Sequence, residues 1–310
     1  MNSSMNAAGA GMTRFGMRLW LAALVVLPGV AMAQAAGADQ PADALVPPTS
    51  ASDFTAAQLD EMIAGDWRSE ANRARDVYRH PKESLQFFGI RPDRDVIEIT
   101  PGGGWYSEIL APLLHDNGRY VAAIPMPAPG RGENALRRKF AADVEHYGHA
   151  QFVVFDPAAP SFGARGTADM VLTFRNVHNW VAGSSEEADT AAAMFRAFFD
   201  VLKPGGVLGV VEHRAADGSA LDTSTGYLPT AYVVKLATDA GFTLDGSSEI
   251  NANPKDTRVH PKGVWTLPPT LALGDQDREK YLEIGESDRM TLRFIKPQES
   301  PMMAPMTVDR

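Results

Sequence analysis

Residues 96–107 read Val96-Ile97-Glu98-Ile99-Thr100-Pro101-Gly102-Gly103-Gly104-Trp105-Tyr106-Ser107. A short β-branched run carrying one acid leads into three consecutive glycines, and a helical stretch from Trp105 to Leu114 follows. That order predicts a strand, a tight turn and a helix start, the unit in which a βαβ layer holds an adenine-containing ligand. Glycine lacks a Cβ and tolerates positive φ, so a ligand can approach the backbone at Gly102, Gly103 and Gly104. The free N–H groups of the helix start suit a carboxylate or phosphate. A glycine turn that serves only the fold is the alternative reading.

The pattern around this turn alternates. Strands are expected at Asp95–Ile99, Tyr120–Ile124, Phe152–Phe155, Met170–Phe174 and Val207–Val211, with another beginning at Thr243 and a last one at Met290–Ile295. Helices are expected at Asn134–His146, Glu186–Leu202 and Pro229–Ala240, the last stopped by Gly241. Residues 56–88 read as mostly helical, with Trp67, Val77 and Phe87 as buried anchors. Strands alternating with helices imply an α/β fold with a mostly parallel sheet covered on both faces. The run 251–289 is long for a connection, and such insertions are often functional; here it is expected to form part of a lid.

Glu98 precedes the turn instead of following it by about twenty residues, which argues against a dinucleotide site. The turn resembles the first motif of class I S-adenosylmethionine (SAM)-dependent methyltransferases, and more closely an exported bacterial group within them. The stretch Leu202-Lys203-Pro204-Gly205-Gly206-Val207-Leu208 is similar to the turn before that family's fifth strand. Asp169 to Leu172 with Phe174-Arg175-Asn176-Val177-His178-Asn179-Trp180 resembles its fourth strand and following loop, and Phe155-Asp156 the end of its third. The resemblance implies a Rossmann-like sheet of seven strands, the last antiparallel, over about Ala56 to Pro297. It also implies SAM as cofactor, contacted by Glu98 and the turn Thr100, Gly102, Gly103 and Gly104, with Asp156 near the adenine. Trp105 and Tyr106, which either stack near the sulfonium or pack against the first strand, and Arg175 after the fourth strand are further candidate cofactor contacts. The chain departs from the family in two places. Thr100 stands where the first glycine is expected, and Gly118 to Pro125 ends without the acid that takes the ribose hydroxyls. Each missing charged hydrogen bond costs roughly 1.5–3 kcal/mol.

In open α/β sheets the reacting centre lies at the carboxyl ends of the strands. Arg175, Asn176, His178 and Trp180 follow the fourth strand, and Glu212, His213 and Arg214 the fifth. His178 and His213 are the candidate bases, since histidine titrates nearest neutral pH, with Asn176 beside them as a catalytic candidate. Arg73 to Asp76 and Arg79-His80-Pro81 read as a solvated helix face and its end, although in the fold the resemblance implies the leading helices often cover the cofactor; His146 and His149 read as solvent-facing. No metal-ligand spacing stands out, so no metal is expected. There is no G-x-S-x-G elbow for a serine hydrolase.

The first 33 residues read as a secretory signal peptide. Arg14 and Arg18 precede the apolar run Leu19–Leu27, Pro28-Gly29 breaks it, and Ala31-Met32-Ala33 offers a cleavage site. The expected mature chain begins at Gln34 and lies in the periplasm or outside the cell. Residues 34–52 read as a flexible tether, 53–297 as one domain with leading helices, and 298–310 as a disordered tail. The 310 residues contain no cysteine, which excludes disulfides, thiolate metal sites and a cysteine nucleophile. A net charge of −9 argues against nucleic acid as a partner, and no mature membrane span is expected. Two functions remain open: an exported methyltransferase acting on a small molecule, or a catalytically inactive protein of that fold which binds a ligand or partner.

Overall fold

The computed structural model describes residues 51–127, 134–185 and 188–298. The signal peptide, the tether up to residue 50 and the tail from residue 299 lie outside the described residues. The described residues all belong to one compact unit.

Four leading helices, α1 (Ala51–Ala64), α2 (Glu70–Arg73), α3 (Asp76–Arg79) and α4 (Pro81–Phe88), precede β1 (Asp95–Ile99) and α5 (Ser107–Leu113). Next come β2 (Arg119–Pro125), α6 (Ala135–Ala142), α7 (Val144–Tyr147), β3 (Gln151–Phe155) and β4 (Ala168–Phe174). The rest is α8 (Val177–Ala182), α9 (Thr190–Val201), β5 (Leu202–His213), α10 (Thr230–Asp239), β6 (Thr243–Ser248), α11 (Arg278–Ile284) and β7 (Arg289–Ile295). The strands form one seven-stranded sheet in the order β3-β2-β1-β4-β5-β7-β6. Neighbours from β3 through β5 pair in parallel, and β7 runs antiparallel to both β5 and β6. This is the Rossmann-like methyltransferase sheet.

Alternation of the strand side chains divides the core. Ile97, Ile99, Val171, Leu208 and Val210 pack under α9 and α10, while Val96, Ala122, Met170, Leu172 and Val211 pack under the leading helices and α5. Burial on both faces explains why these strands read as continuous apolar runs.

Several local expectations change. The helix expected over 134–146 is two, because Asp143 leaves helical geometry (φ −139°) and its carboxylate caps the next helix at His146 N. The loop after β4 contains α8. Val77 is not an anchor: it is 66% exposed, since the single turn of α3 directs its buried face through Arg79. Trp67 and Phe87 are partly buried against the core. Trp67 donates to the Glu108 carbonyl (2.9 Å) and stacks on His146 at 4.2 Å, so His146 does not simply face solvent. His149 is exposed and stacks on His115.

Candidate active site

Winding reverses between β1 and β4: successive strands run one way to β2 and β3, the other way to β5. A crevice therefore opens at the carboxyl ends of β1 and β4. It holds a cavity of about 230 Å3. Arg75, Arg79 and Asn72 wall it from the leading helices, Glu98 to Gly103 with Trp105 and Tyr106 from the first turn, and Phe174 to Asn176 from the end of β4. Two non-glycine residues on its rim sit in the left-handed region, Thr100 (φ 49°) and Arg175 (φ 60°). Each costs of order 1–3 kcal/mol unless the surroundings hold it, and such residues concentrate at functional sites. Thr100 Oγ1 is buried with no hydrogen-bond partner among the described residues.

Glu98 lies at the cavity floor, 2% exposed. Its Oε2 accepts from Ser107 Oγ (2.7 Å) and Tyr120 OH (2.6 Å), which themselves lie 2.8 Å apart. Burial pushes the carboxyl up to about 7, against the pull of the two hydroxyls and of Arg175. A positively charged ligand group beside Glu98 would favour the carboxylate. Gly102 and Gly103 border open space, with nothing within 4 Å of a built Cβ. Gly104 does not line the cavity: its Cβ direction meets Leu136 Cδ1 at 2.4 Å, so this glycine admits helix α6 rather than a ligand.

The remaining sequence candidates divide. Tyr106 stacks on Phe174 (3.6 Å between centroids) and Trp105 donates to the Asn72 carbonyl (2.8 Å), so both chiefly build the wall. Asn176 donates to the Ile99 carbonyl (2.9 Å) and Thr173 Oγ1 (3.2 Å), tying the ends of β1 and β4 together. Asp156 is exposed and accepts from Ala158 N in its own turn (2.9 Å), apart from the cavity lining. The end of β2 presents Pro125 and Met126, and no acid stands there among the described residues. The residues present thus fit the amino-acid half of SAM, through Glu98 and the open glycines. For the adenosyl half the described residues offer no charged ribose partner.

A second chamber, about 270 Å3, adjoins the first across Arg75, Arg79 and Arg175. His178 and His213 meet there with ring centroids 5.1 Å apart. His178 Nδ1 lies 2.9 Å from Glu212 Oε1, and Glu212 is fully buried. With Nδ1–H donated to Glu212, Nε2 keeps its lone pair. His213 Nδ1 lies 2.5 Å from Ser287 Oγ. Burial, then His178 and the nearby arginines, hold its pKa well below the ordinary imidazole value, so it is neutral. The insertion supplies the facing wall through Trp265, Pro268, Pro269 and Thr270, which places it over this chamber. His178, Glu212 and His213 bring possible metal-ligand atoms within 4.8 Å of one another. Glu212 Oε1 already accepts from His213 N (2.7 Å) and His178 Nδ1, and Oε2 from His178 N (3.3 Å). These contacts already occupy Glu212, and the arginines of the same chamber add positive charge, so the cluster does not suit a metal cation.

Arg75 and Arg79 are not the solvated face they resembled. Arg79 is 3% exposed, and both reach Glu286: Arg75 Nε at 2.7 Å and Arg79 Nε at 3.2 Å. Arg289 (3.2 Å) and Arg175 (3.8 Å) complete a ring of four guanidinium groups around one buried carboxylate. Burial raises the Glu286 pKa, but Arg289, Arg79, Arg175 and Arg75 together bring it down to about 2. Burial and then Arg289 lower Arg175 to about 10. Sequence reasoning missed this ring because Arg75 and Arg79 lie some 200 positions from Glu286. The one available signal was an Arg75 and Arg79 pair spaced four apart on a leading helix, too common to be specific.

No protein-family profile and no curated protein matches the chain. Solved structures do. The (4+2)-cyclase SpnF is 15% identical over 81% of this chain and 97% of its own, with a TM-score of 0.51. A SAM-dependent methyltransferase from Aquifex aeolicus is 12% identical over 78% and 98%, TM-score 0.46. Human N-acetylserotonin methyltransferase, solved with SAM, is 12% identical over 78% and 56%, TM-score 0.46. At these identities the likeness extends to the fold. That SpnF is a cyclase underlines that the activity must be argued from the site.

Proposed function

We propose that this chain is an exported SAM-dependent methyltransferase acting on a small molecule. The observation that carries the reading is the buried Glu98 beside the open Gly102-Gly103 turn, with the His178–Glu212 pair on the adjoining wall. SAM, when bound, supplies an electrophilic methyl group. The chain's part is to hold the amino-acid end of the cofactor at Glu98 and the glycine turn, exclude water beneath Trp265 and the two prolines, and take the acceptor's proton at His178 Nε2. Glu212 orients that ring and stabilises it once protonated. The exposed Asp156 and the acid-free end of β2 favour a second reading, a binder of this fold without catalysis.

The test is calorimetric titration with S-adenosylhomocysteine across pH. Glu98 must be ionised to pair with the ligand's ammonium. Its pKa near 7 exceeds the unfolded value, so affinity should fall about tenfold per pH unit below 7 and level off above it. Glu98→Gln should bind weakly with no such slope. If the parent binds no S-adenosylhomocysteine at any pH, the cofactor reading fails. Binding without methyl transfer selects the inactive binder.

Gly103→Val gives an independent check. The new side chain enters open space at a residue with no positive φ, so folding should survive while the ligand is displaced. Gly104→Val should instead unfold the turn by driving into Leu136 at φ 83°. Unchanged ligand affinity in a folded Gly103→Val variant would place the pocket elsewhere.

Export rests on the Leu19–Leu27 run and Ala31-Met32-Ala33. N-terminal sequencing of the protein from a periplasmic fraction should begin at or near Gln34. An intact Met1 on cytoplasmic protein is the contrary result. Among the described residues no helix is long and apolar enough to cross a membrane.

A further inference from the structure

The ring around Glu286 holds more positive charge than the fold can use. Four guanidinium groups face one carboxylate, and Arg79, Arg289 and Glu286 are each less than 5% exposed. Glu98 shares the first cavity with Arg175 and draws on its charge, which still leaves four guanidinium groups to two carboxylates, and the other acids nearby are engaged elsewhere. Asp288 pairs with Arg214 and Arg258, Glu212 with His178, and Asp76 and Glu108 with Arg68. Burying unpaired charge costs several kcal/mol, so an excess of this kind calls for a counter-ion.

Two side chains show where it belongs. Arg75 Nη2 is buried with no hydrogen-bond partner among the described residues. The Arg175 guanidinium approaches Glu286 only to 3.8 Å, and its residue is held in the left-handed region at the mouth of β4. Both line the second chamber with His178, Trp265 and Pro268. SAM offers at most one carboxylate to four guanidinium groups, and its ammonium and sulfonium make its net charge positive, so it does not balance the ring.

We propose that the second chamber binds a compact dianion, a dicarboxylate or a phosphate ester. Its oxyanion lies between Arg75 and Arg175, and its apolar part lies on Trp265 and the two prolines. Calling that molecule the methyl acceptor rests on the methyltransferase reading; the anion site itself does not.

The test uses the whole chain, with inorganic phosphate and malonate as probes and chloride at equal ionic strength as control. Thermal melting should rise saturably with at least one probe. The stronger probe tells a phosphate ester from a dicarboxylate. Arg175→Gln removes charged hydrogen bonds and should weaken that binding about 10- to 100-fold. Arg75→Gln serves if the first variant does not fold. Calorimetry with saturating S-adenosylhomocysteine should show the anion still bound. Three results overturn the proposal: no stabilisation beyond chloride, unchanged affinity in a folded arginine variant, or one-for-one competition with S-adenosylhomocysteine, which would make the ring the cofactor's own carboxylate site. Anion binding without any S-adenosylhomocysteine binding leaves this inference standing and removes the methyltransferase reading.

Discussion

Replacing His178 by Asn should lower methyl transfer by about 10²- to 10⁴-fold while S-adenosylhomocysteine affinity stays within a few-fold of the parent. The expectation comes from the division of labour between the two histidines. His178 Nδ1 is fixed by Glu212 at 2.9 Å, and the ring lines the chamber through which an acceptor must approach. Asparagine can keep a hydrogen bond but cannot take a proton near neutral pH. His213 is disfavoured as the base because burial, then His178 and the arginines, lower its basicity. Its Nδ1 contact with Ser287 ties the end of β5 to the start of β7. His213→Asn should therefore reduce turnover less than His178→Asn. The assay is transfer from labelled SAM to pooled anionic metabolites. Equal losses for the two variants, or a loss of affinity matching the loss of rate, would sink the assignment of His178 as base.

Stability should suffer most from a change at Glu286. Glu286→Gln leaves Arg75, Arg79, Arg175 and Arg289 facing one another without a counter-charge, and breaking a buried pair in this way costs about 3–5 kcal/mol. The pH dependence follows from the direction of the shift. The folded pKa, about 2, lies below the unfolded value of 4.5. Glu286 therefore contributes its full stabilisation above about 4.5 and loses it as pH falls toward 2. A shift of that size corresponds to about 3 kcal/mol, in line with the cost of the substitution. Denaturant unfolding of parent and variant from pH 6 down to pH 3 checks this. The gap between them should be widest at pH 6 and narrow in acid; a gap that does not change with pH would mean that packing, not charge, is the cause.

Much of this protein was legible along the chain because its signals are local. A β-branched run, three glycines and a helix start within a dozen residues dictate a strand, turn and helix by backbone sterics alone, and β1 and α5 form there. Alternating apolar runs dictate a sheet covered on both faces, while Lys203-Pro204-Gly205-Gly206, read as a turn before the strand, is a bulge inside β5 where the register to β4 shifts and Gly205 takes φ 79°. Glu98 and the histidines at the ends of β4 and β5 could be proposed because strand ends in such a sheet converge. Helix 134–146 misled because the capping power of Asp143 outweighs the propensity of its neighbours.

Other features depend on charge and direction across long separations, and these emerge only on folding. Arg75 and Arg79 read as solvated because sequence does not show which way a single helical turn faces; folding brings Glu286 within 2.7 Å of Arg75. Gly104 looked like a ligand contact beside Gly102 and Gly103, but backbone direction alternates through the turn and gives Gly104 to Leu136. Glu212 became the partner of His178 only when β5 was laid beside β4, in parallel register with Phe174 opposite Val211. Periodicity and turn chemistry act over a few residues, so the linear order of residues was enough to specify the sheet and the glycine turn. Electrostatic pairing acts through space, so the ring of arginines and the choice between the histidines waited on the folded chain.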